Sequence, residues 1–206
     1  MRILLTGANG YIGMRLLPEL LAQGHEVVCA VRNKNRFTSN EELLEKVEIV
    51  ELDFLEDSTA PEKIQNIDVA YYLIHSMIAG KQGFADADRT AALNMAAVAA
   101  ARKVKRIIYL GGLLPGDGSK LSPHLESRFE VEQTLGATGI PVTAVILKTA
   151  LLSGGLAGLA GMSEIKPILP GCRSAFPTCS RTESFKIAVM LFLLMVRMAF
   201  SSSSGV

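Results

Sequence analysis

Cysteine is scarce in this chain: only Cys29, Cys172 and Cys179 occur in 206 residues, and no CxxC spacing joins them. An odd, scattered set argues against a disulfide framework and against a structural zinc site, and suits a reducing, cytoplasmic setting. Tryptophan is absent. Net charge is almost absent too, at +1, so no global field draws the chain to nucleic acid or to an anionic membrane. A long hydrophobic run is missing. "IAVMLFLLMV" (187–196) gives ten apolar residues before Arg197, whereas a membrane span needs about 20, so it reads as a buried helix. The opening "MRILLTGANG" is too briefly apolar for a signal peptide. No short-period repeat is visible.

What is present is 49% apolar sequence in a chain the size of one domain, enough for a core without staples. Six short apolar runs read as strands: 2–6, 26–31, 47–52, 68–74, 106–111 and 141–147. Helical patterns separate them. One follows residue 10 with Ile12, Leu16 and Leu20 on a stripe, interrupted by Pro18, which should weaken or bend it. Others are expected at 40–46, 84–103 and 123–136. Strand–helix alternation repeated six times predicts a parallel sheet covered on both faces, a doubly wound three-layer α/β/α domain. The regularity stops near residue 150, where Gly, Pro and Ser dominate and no element can be placed.

"TGANGYIG" (6–13) follows a strand and opens a helix. Gly7 permits a tight turn, Gly10 lets backbone N–H groups approach a pyrophosphate, and Gly13 lets the helix pack close to the sheet. The phosphates would sit at the positive end of a helix. The spacing is GxxGxxG rather than GxGxxG. At the end of the second strand an NAD site carries an acid; this chain has Arg32, followed by Lys34 and Arg36, which points to a 2′-phosphate and hence to NADP rather than NAD. Asp53 follows the third strand and reads either as an adenine cap or as an ordinary turn aspartate.

Taken together, "TGANGYIG", "AVR", "LDFLED", "YYLIHSM", "RIIYLGGL" and "LSPHLESRFEVE" resemble the atypical, NAD(P)-binding branch of the short-chain dehydrogenase/reductase superfamily, near its epimerase-like and NmrA-like groups. The likeness covers about residues 1–147. It implies a Rossmann fold over 1–147, with 148–206 as an incomplete or irregular C-terminal part. It assigns Gly7, Gly10 and Gly13 to the pyrophosphate, within a cofactor-binding stretch that also holds Thr6, Asn9, Tyr11 and Ile12. Arg32 goes to the 2′-phosphate, Asp53 and Phe54 to the adenine edge, and "LIHS" (73–76), with His75, to the nicotinamide ribose side. Asn94 falls where the superfamily often keeps a structural asparagine; a helix-surface amide is the alternative. His75 also reads as a capped core residue.

Two departures stand out. Active relatives carry a serine or threonine after the fifth strand and a Tyr-x-x-x-Lys pair on the next helix. Here Gly111 or Gly112 occupies the first place, and His124-x-x-x-Arg128 the second. Ser122 and Pro123 suit an N-cap and first helical residue, so His124 lies in the first turn and Arg128 on the same face. The helix terminus and the arginine should both lower the His124 pKa, leaving a neutral imidazole able to donate a hydrogen bond or act as a weak base. Arg128 keeps its proton and can only orient, bond the cofactor ribose or bind an anion. The alternative is a solvated face with weak pairs to Glu126 and Glu130. Cys29 reads as a small buried hydrophobe. Past 147 the likeness fades, which predicts a truncated or frame-altered C-terminal part and an incomplete substrate pocket.

These readings predict an NADP-dependent oxidoreductase or epimerase-like enzyme acting on a small molecule, or else a catalytically silent NADP sensor or assembly factor. No nucleic-acid or membrane partner is expected, and oligomerisation is left open.

Overall fold

The structure, a computed structural model, describes residues 1–37, 41–56, 60–75, 83–111, 120–147 and 163–167. Strands β1 (Arg2–Thr6), β2 (Glu26–Val31), β3 (Val47–Glu51), β4 (Val69–Tyr72), β5 (Arg106–Gly111), β6 (Val142–Leu147) and β7 (Ser163–Pro167) form one sheet. Its order is β3-β2-β1-β4-β5-β6-β7. The first six are parallel, in the 3-2-1-4-5-6 order of a Rossmann fold, and β7 pairs antiparallel with β6.

Side chains alternate across the strands, so each strand feeds two cores. On one face Ile3, Leu5, Val27, Cys29, Val69 and Tyr71 pack against Leu16, Leu17 and Leu20 of α1 (Tyr11–Ala22). On the other, Leu4, Val28, Ala70, Tyr72, Ile107 and Tyr109 meet α4 (Phe84–Ala101) and α5 (Pro123–Gly136). Cys29 is buried as expected, and burial pushes its thiol up to about 12. Short helices α2 (Glu41–Leu44) and α3 (Ala60–Lys63) complete the regular elements.

Pro18 lies inside α1, yet the helix continues to Ala22, because Leu16, Leu17 and Leu20 bury completely on the sheet. α5 starts as its sequence predicts: the Ser122 hydroxyl accepts from Leu125 N at 3.3 Å and Pro123 is the first helical residue. α4 ends two residues before the expected 103, since Lys103 takes a left-handed backbone, φ 53°. α3, a 3₁₀ turn at Lys34–Arg36 and β7 carry no pattern strong enough to be foreseen. No helix among the described residues is long and apolar enough to cross a membrane. The 187–196 segment, Cys172 and Cys179 lie outside the described residues.

Candidate functional site

The turn after β1 is built by close approach. Gly7 has φ +66°, and a Cβ there would stand 3.0 Å from the Leu73 carbonyl oxygen, at the end of β4. Gly10 caps α1 in extended backbone, and its N–H donates to Gly7 O at 2.9 Å. A Cβ on Gly13 would fall 2.4 Å from Gly7 O and 2.7 Å from Ala8 Cα, so α1 presses directly on the turn. Among the described residues no side chain caps this helix. Its first-turn N–H groups are therefore left for an anion, with the helix dipole favouring negative charge. Thr6 locks the turn from below: its hydroxyl donates to Tyr71 O at 3.0 Å and accepts from Leu73 N at 3.1 Å. With both functions used and the side chain fully buried, Thr6 shapes the loop rather than lining it.

A cleft of 280 Å³ opens at the carboxyl ends of β1 to β4, across the point where strand order reverses. Of the residues expected to bind cofactor, Gly7, Asn9, Gly10, Arg32, Asp53, Phe54 and His75 line it. Tyr11, Ile12 and Gly13 lie on α1 beside it; Tyr11 is exposed, with the Arg15 guanidinium 3.7 Å above its ring. Arg32 is exposed at the cleft edge, and no carboxylate among the described residues pairs with it. The neighbouring Glu51 carboxylate instead accepts from Lys34 N at 2.9 Å. Asp53 is a turn aspartate, its Oδ1 accepting from Leu55 N at 2.9 Å, and it also lines the cleft. Asn94 is structural, its amide donating to Phe54 O at 2.6 Å and holding the Asp53–Leu55 wall to α4.

The opposite end of the cleft holds a polar cluster. His75 Nδ1 stands 3.0 Å from Asp88 Oδ2, and the same oxygen accepts from the Ser127 hydroxyl at 3.1 Å. Asp88 is 2% exposed. His75 and His124 meet edge to face, their centroids 4.8 Å apart. Arg128 is 8% exposed, its guanidinium 4.8 Å from the Tyr109 ring centroid, while Tyr109 OH donates to Arg128 O at 3.0 Å. The solvated-face alternative therefore fails for Arg128, and Glu130 pairs with Arg89 instead. Burial, then the neighbouring His75 and Arg128, lower the His124 pKa from its ordinary 6.5, with Asp88 opposing. His124 is thus neutral at pH 7, as expected, although desolvation leads. Ser76 and Gly112 lie outside the described residues, while Gly111 sits at the end of β5.

Asp88 and Ser127 were not singled out from sequence. Asp88 did leave a signal: it occupies the buried stripe of α4 with Ala91, Ala92 and Met95, an acid at an apolar position. Ser127 left none, because a serine beside Arg128 looks like any polar helical residue.

The glycine cradle that a Cβ would fill, the α1 terminus and the exposed Arg32, neither of them capped or ion-paired by a described side chain, together fit a dinucleotide phosphate and its 2′-phosphate. Residues 7–148 match the model of a family described as NAD(P)H-binding. Among solved structures, a nucleoside-diphosphate-sugar epimerase from Staphylococcus aureus is 21% identical with a TM-score of 0.58, over 70% of this chain and 49% of that one. UDP-glucose 4-epimerase from Thermotoga maritima, with UDP-glucose, is 17% identical with a TM-score of 0.56, over 70% of this chain and 54% of that one. Triphenylmethane reductase from Citrobacter sp., complexed with NADP(H), is 20% identical with a TM-score of 0.54, over 69% of this chain and 47% of that one. At such identity the likeness is one of fold. The match spans about half the length of these proteins. Curated proteins give no match.

Proposed function

Since the chain belongs to the NAD(P)H-binding family, we propose that it is an NADP-dependent oxidoreductase or epimerase-like enzyme of the atypical short-chain dehydrogenase/reductase branch, acting on a small molecule. Gly7, Gly10 and the first turn of α1 would hold the pyrophosphate, Asp53 and Phe54 the adenine edge, and Arg32 the 2′-phosphate. Bound there, the nicotinamide supplies or takes up a hydride. His124 and Arg128 bring a neutral imidazole and a fixed cation to the nicotinamide end, through the His124 contact with His75. A cytoplasmic setting without nucleic-acid or membrane partners belongs to the same proposal. The observation that carries the cofactor preference is Arg32: an exposed cation at the end of β2, on the cleft wall.

Calorimetric titration with NADPH and with NADH tests it. NADPH is expected to bind at least about tenfold more tightly, and Arg32→Glu to erase that gap by repelling the 2′-phosphate. Equal affinities in the parent chain would refute the assignment to NADP.

A silent NADP sensor is the second reading, favoured by the glycine pair Gly111 and Gly112 in the region of the usual hydroxyl and by the missing Tyr-x-x-x-Lys pair. It predicts tight NADPH binding with no turnover of any carbonyl or nucleotide-sugar compound.

A further inference from the structure

We propose that His75 is the proton-transfer residue of this cleft and that Asp88 and Ser127 are its positioning residues. The inference rests on the cofactor reading above and moves the acid–base role from His124 to a residue that lines the cleft itself.

Three observations converge. The Asp88 carboxylate is buried in α4 and takes hydrogen bonds from His75 at 3.0 Å and from Ser127 at 3.1 Å, so its acceptor oxygen is pinned from two elements. In this proposal Asp88 is an ionised carboxylate, which only accepts, and the ring proton is therefore on His75 Nδ1. His75 Nε2 is then the nitrogen left to exchange a proton with a ligand, and it is buried without a hydrogen-bond partner among the described residues. A buried imidazole nitrogen without a partner costs free energy unless something occupies it. Its position supplies the reason. Arg32 and Asp53 mark the adenosine end of the cleft and Gly7 and Gly10 its middle, so His75, beyond β4, stands at the nicotinamide end.

The chemistry balances without a further reactant. Reducing a carbonyl to an alcohol needs a hydride on carbon, which the reduced nicotinamide supplies, and a proton on oxygen. Nε2–H of the doubly protonated ring donates that proton as the C=O π pair moves to oxygen. His75 is left neutral, with Nδ1–H still on Asp88, and regains its proton from water. Oxidation of an alcohol runs the same steps backwards, Nε2 taking the hydroxyl proton. Among the described residues Asp88 from α4 and His124 from α5 meet the ring, and behind them lie Arg128 of α5 against the Tyr109 ring of β5 and Tyr109 against Tyr72 of β4. Burial raises both phenol pKa values, so neither tyrosine is an anion near neutral pH.

Long-range ¹H–¹⁵N NMR of the full chain at pH 7.5 reads the tautomer directly. His75 is expected as Nδ1–H with bare Nε2, and Asp88→Asn is expected to abolish that preference. Titrations with NADP⁺ and NADPH at pH 7.5 then read proximity to the nicotinamide. The two forms differ only in that ring, so the His75 Nε2 resonance should shift differently with each. An Nε2–H tautomer in the parent chain, or an Nε2 resonance that responds identically to the two forms, would each overturn the proposal. Absence of binding by either form would instead overturn the cofactor reading on which it stands, and the tautomer would still decide the Asp88–His75 arrangement.

Discussion

Gly13 and Gly111 are both glycines beside buried sheet, yet they differ sharply in what a methyl group would meet. At Gly13 a Cβ lands 2.4 Å from Gly7 O and 2.9 Å from Ala8 O, all unyielding backbone. At Gly111 it meets Tyr109 Cε1 at 3.6 Å, Glu132 Oε2 at 3.7 Å and Ala144 Cβ at 3.8 Å, which is ordinary contact. Gly13→Ala is expected to lose about 1–3 kcal/mol in urea unfolding by forcing α1 off the turn, and to abolish NADPH binding. Gly111→Ala should stay within about 0.5 kcal/mol of the parent. A benign Gly13→Ala would refute the close-packing role of this glycine. The GxxGxxG spacing made Gly13 legible from sequence, whereas the room beside Gly111 depends on how β6 and α5 flank it and could not be read.

α4 carries several duties on one helix. Ala91, Ala92, Met95, Val98 and Ala99 bury against the sheet, Asp88 holds His75, and Asn94 clips Phe54. Replacing Asn94 by Leu leaves the part-buried Phe54 carbonyl without its donor, at a cost of about 1–2 kcal/mol. The Asp53–Leu55 wall loosens with it. Hydrogen exchange at Leu55 and Glu56 should quicken, and NADPH affinity should fall while the exchange of β1 amides stays unchanged. Unaltered exchange at Leu55 would dismiss the clip as decorative. The alanine-rich periodicity showed this helix and its apolar stripe. Which loop its polar residues grip depends on β3 and β4 arriving at their carboxyl ends together.

At the opposite end of the sheet, Asp68 ties three strand starts together. Its carboxylate accepts from Arg2 N at 2.9 Å and from Lys105 Nζ at 2.6 Å, and its backbone bonds Arg2 O and Lys105 N. The Lys105 hydrogen bond first, then the Arg2 N–H, hold its carboxyl below the usual range. A folded pKa below the unfolded value of about 3.9 means the folded state binds protons less readily. The stabilisation is therefore complete above about pH 4–5 and disappears as pH falls through the folded value. The urea midpoint should drop steeply in that acid window, and Asp68→Asn should flatten the drop while lowering stability at pH 7. Identical acid profiles for the two chains would show that the Asp68 contacts contribute nothing.

By itself the sequence determined the six parallel strands, the three main helices, the glycine turn and the cationic end of β2. Each is a local signal: period 2 or 3.6 in apolar residues, a serine–proline cap, glycines at fixed offsets. That is why their bounds agree with the structure to within about two residues at most ends. β7, α3 and the 3₁₀ turn escaped because they are short and their partners lie far off in the chain. The polar cluster at the His75 end of the cleft was decided only by tertiary structure. His75, Asp88 and Ser127 are separated by 13 and 39 residues and meet because β4, α4 and α5 pack on one face of the sheet. A hydrogen bond needs its partners about 3 Å apart, and no spacing along the chain encodes which helix faces will supply them.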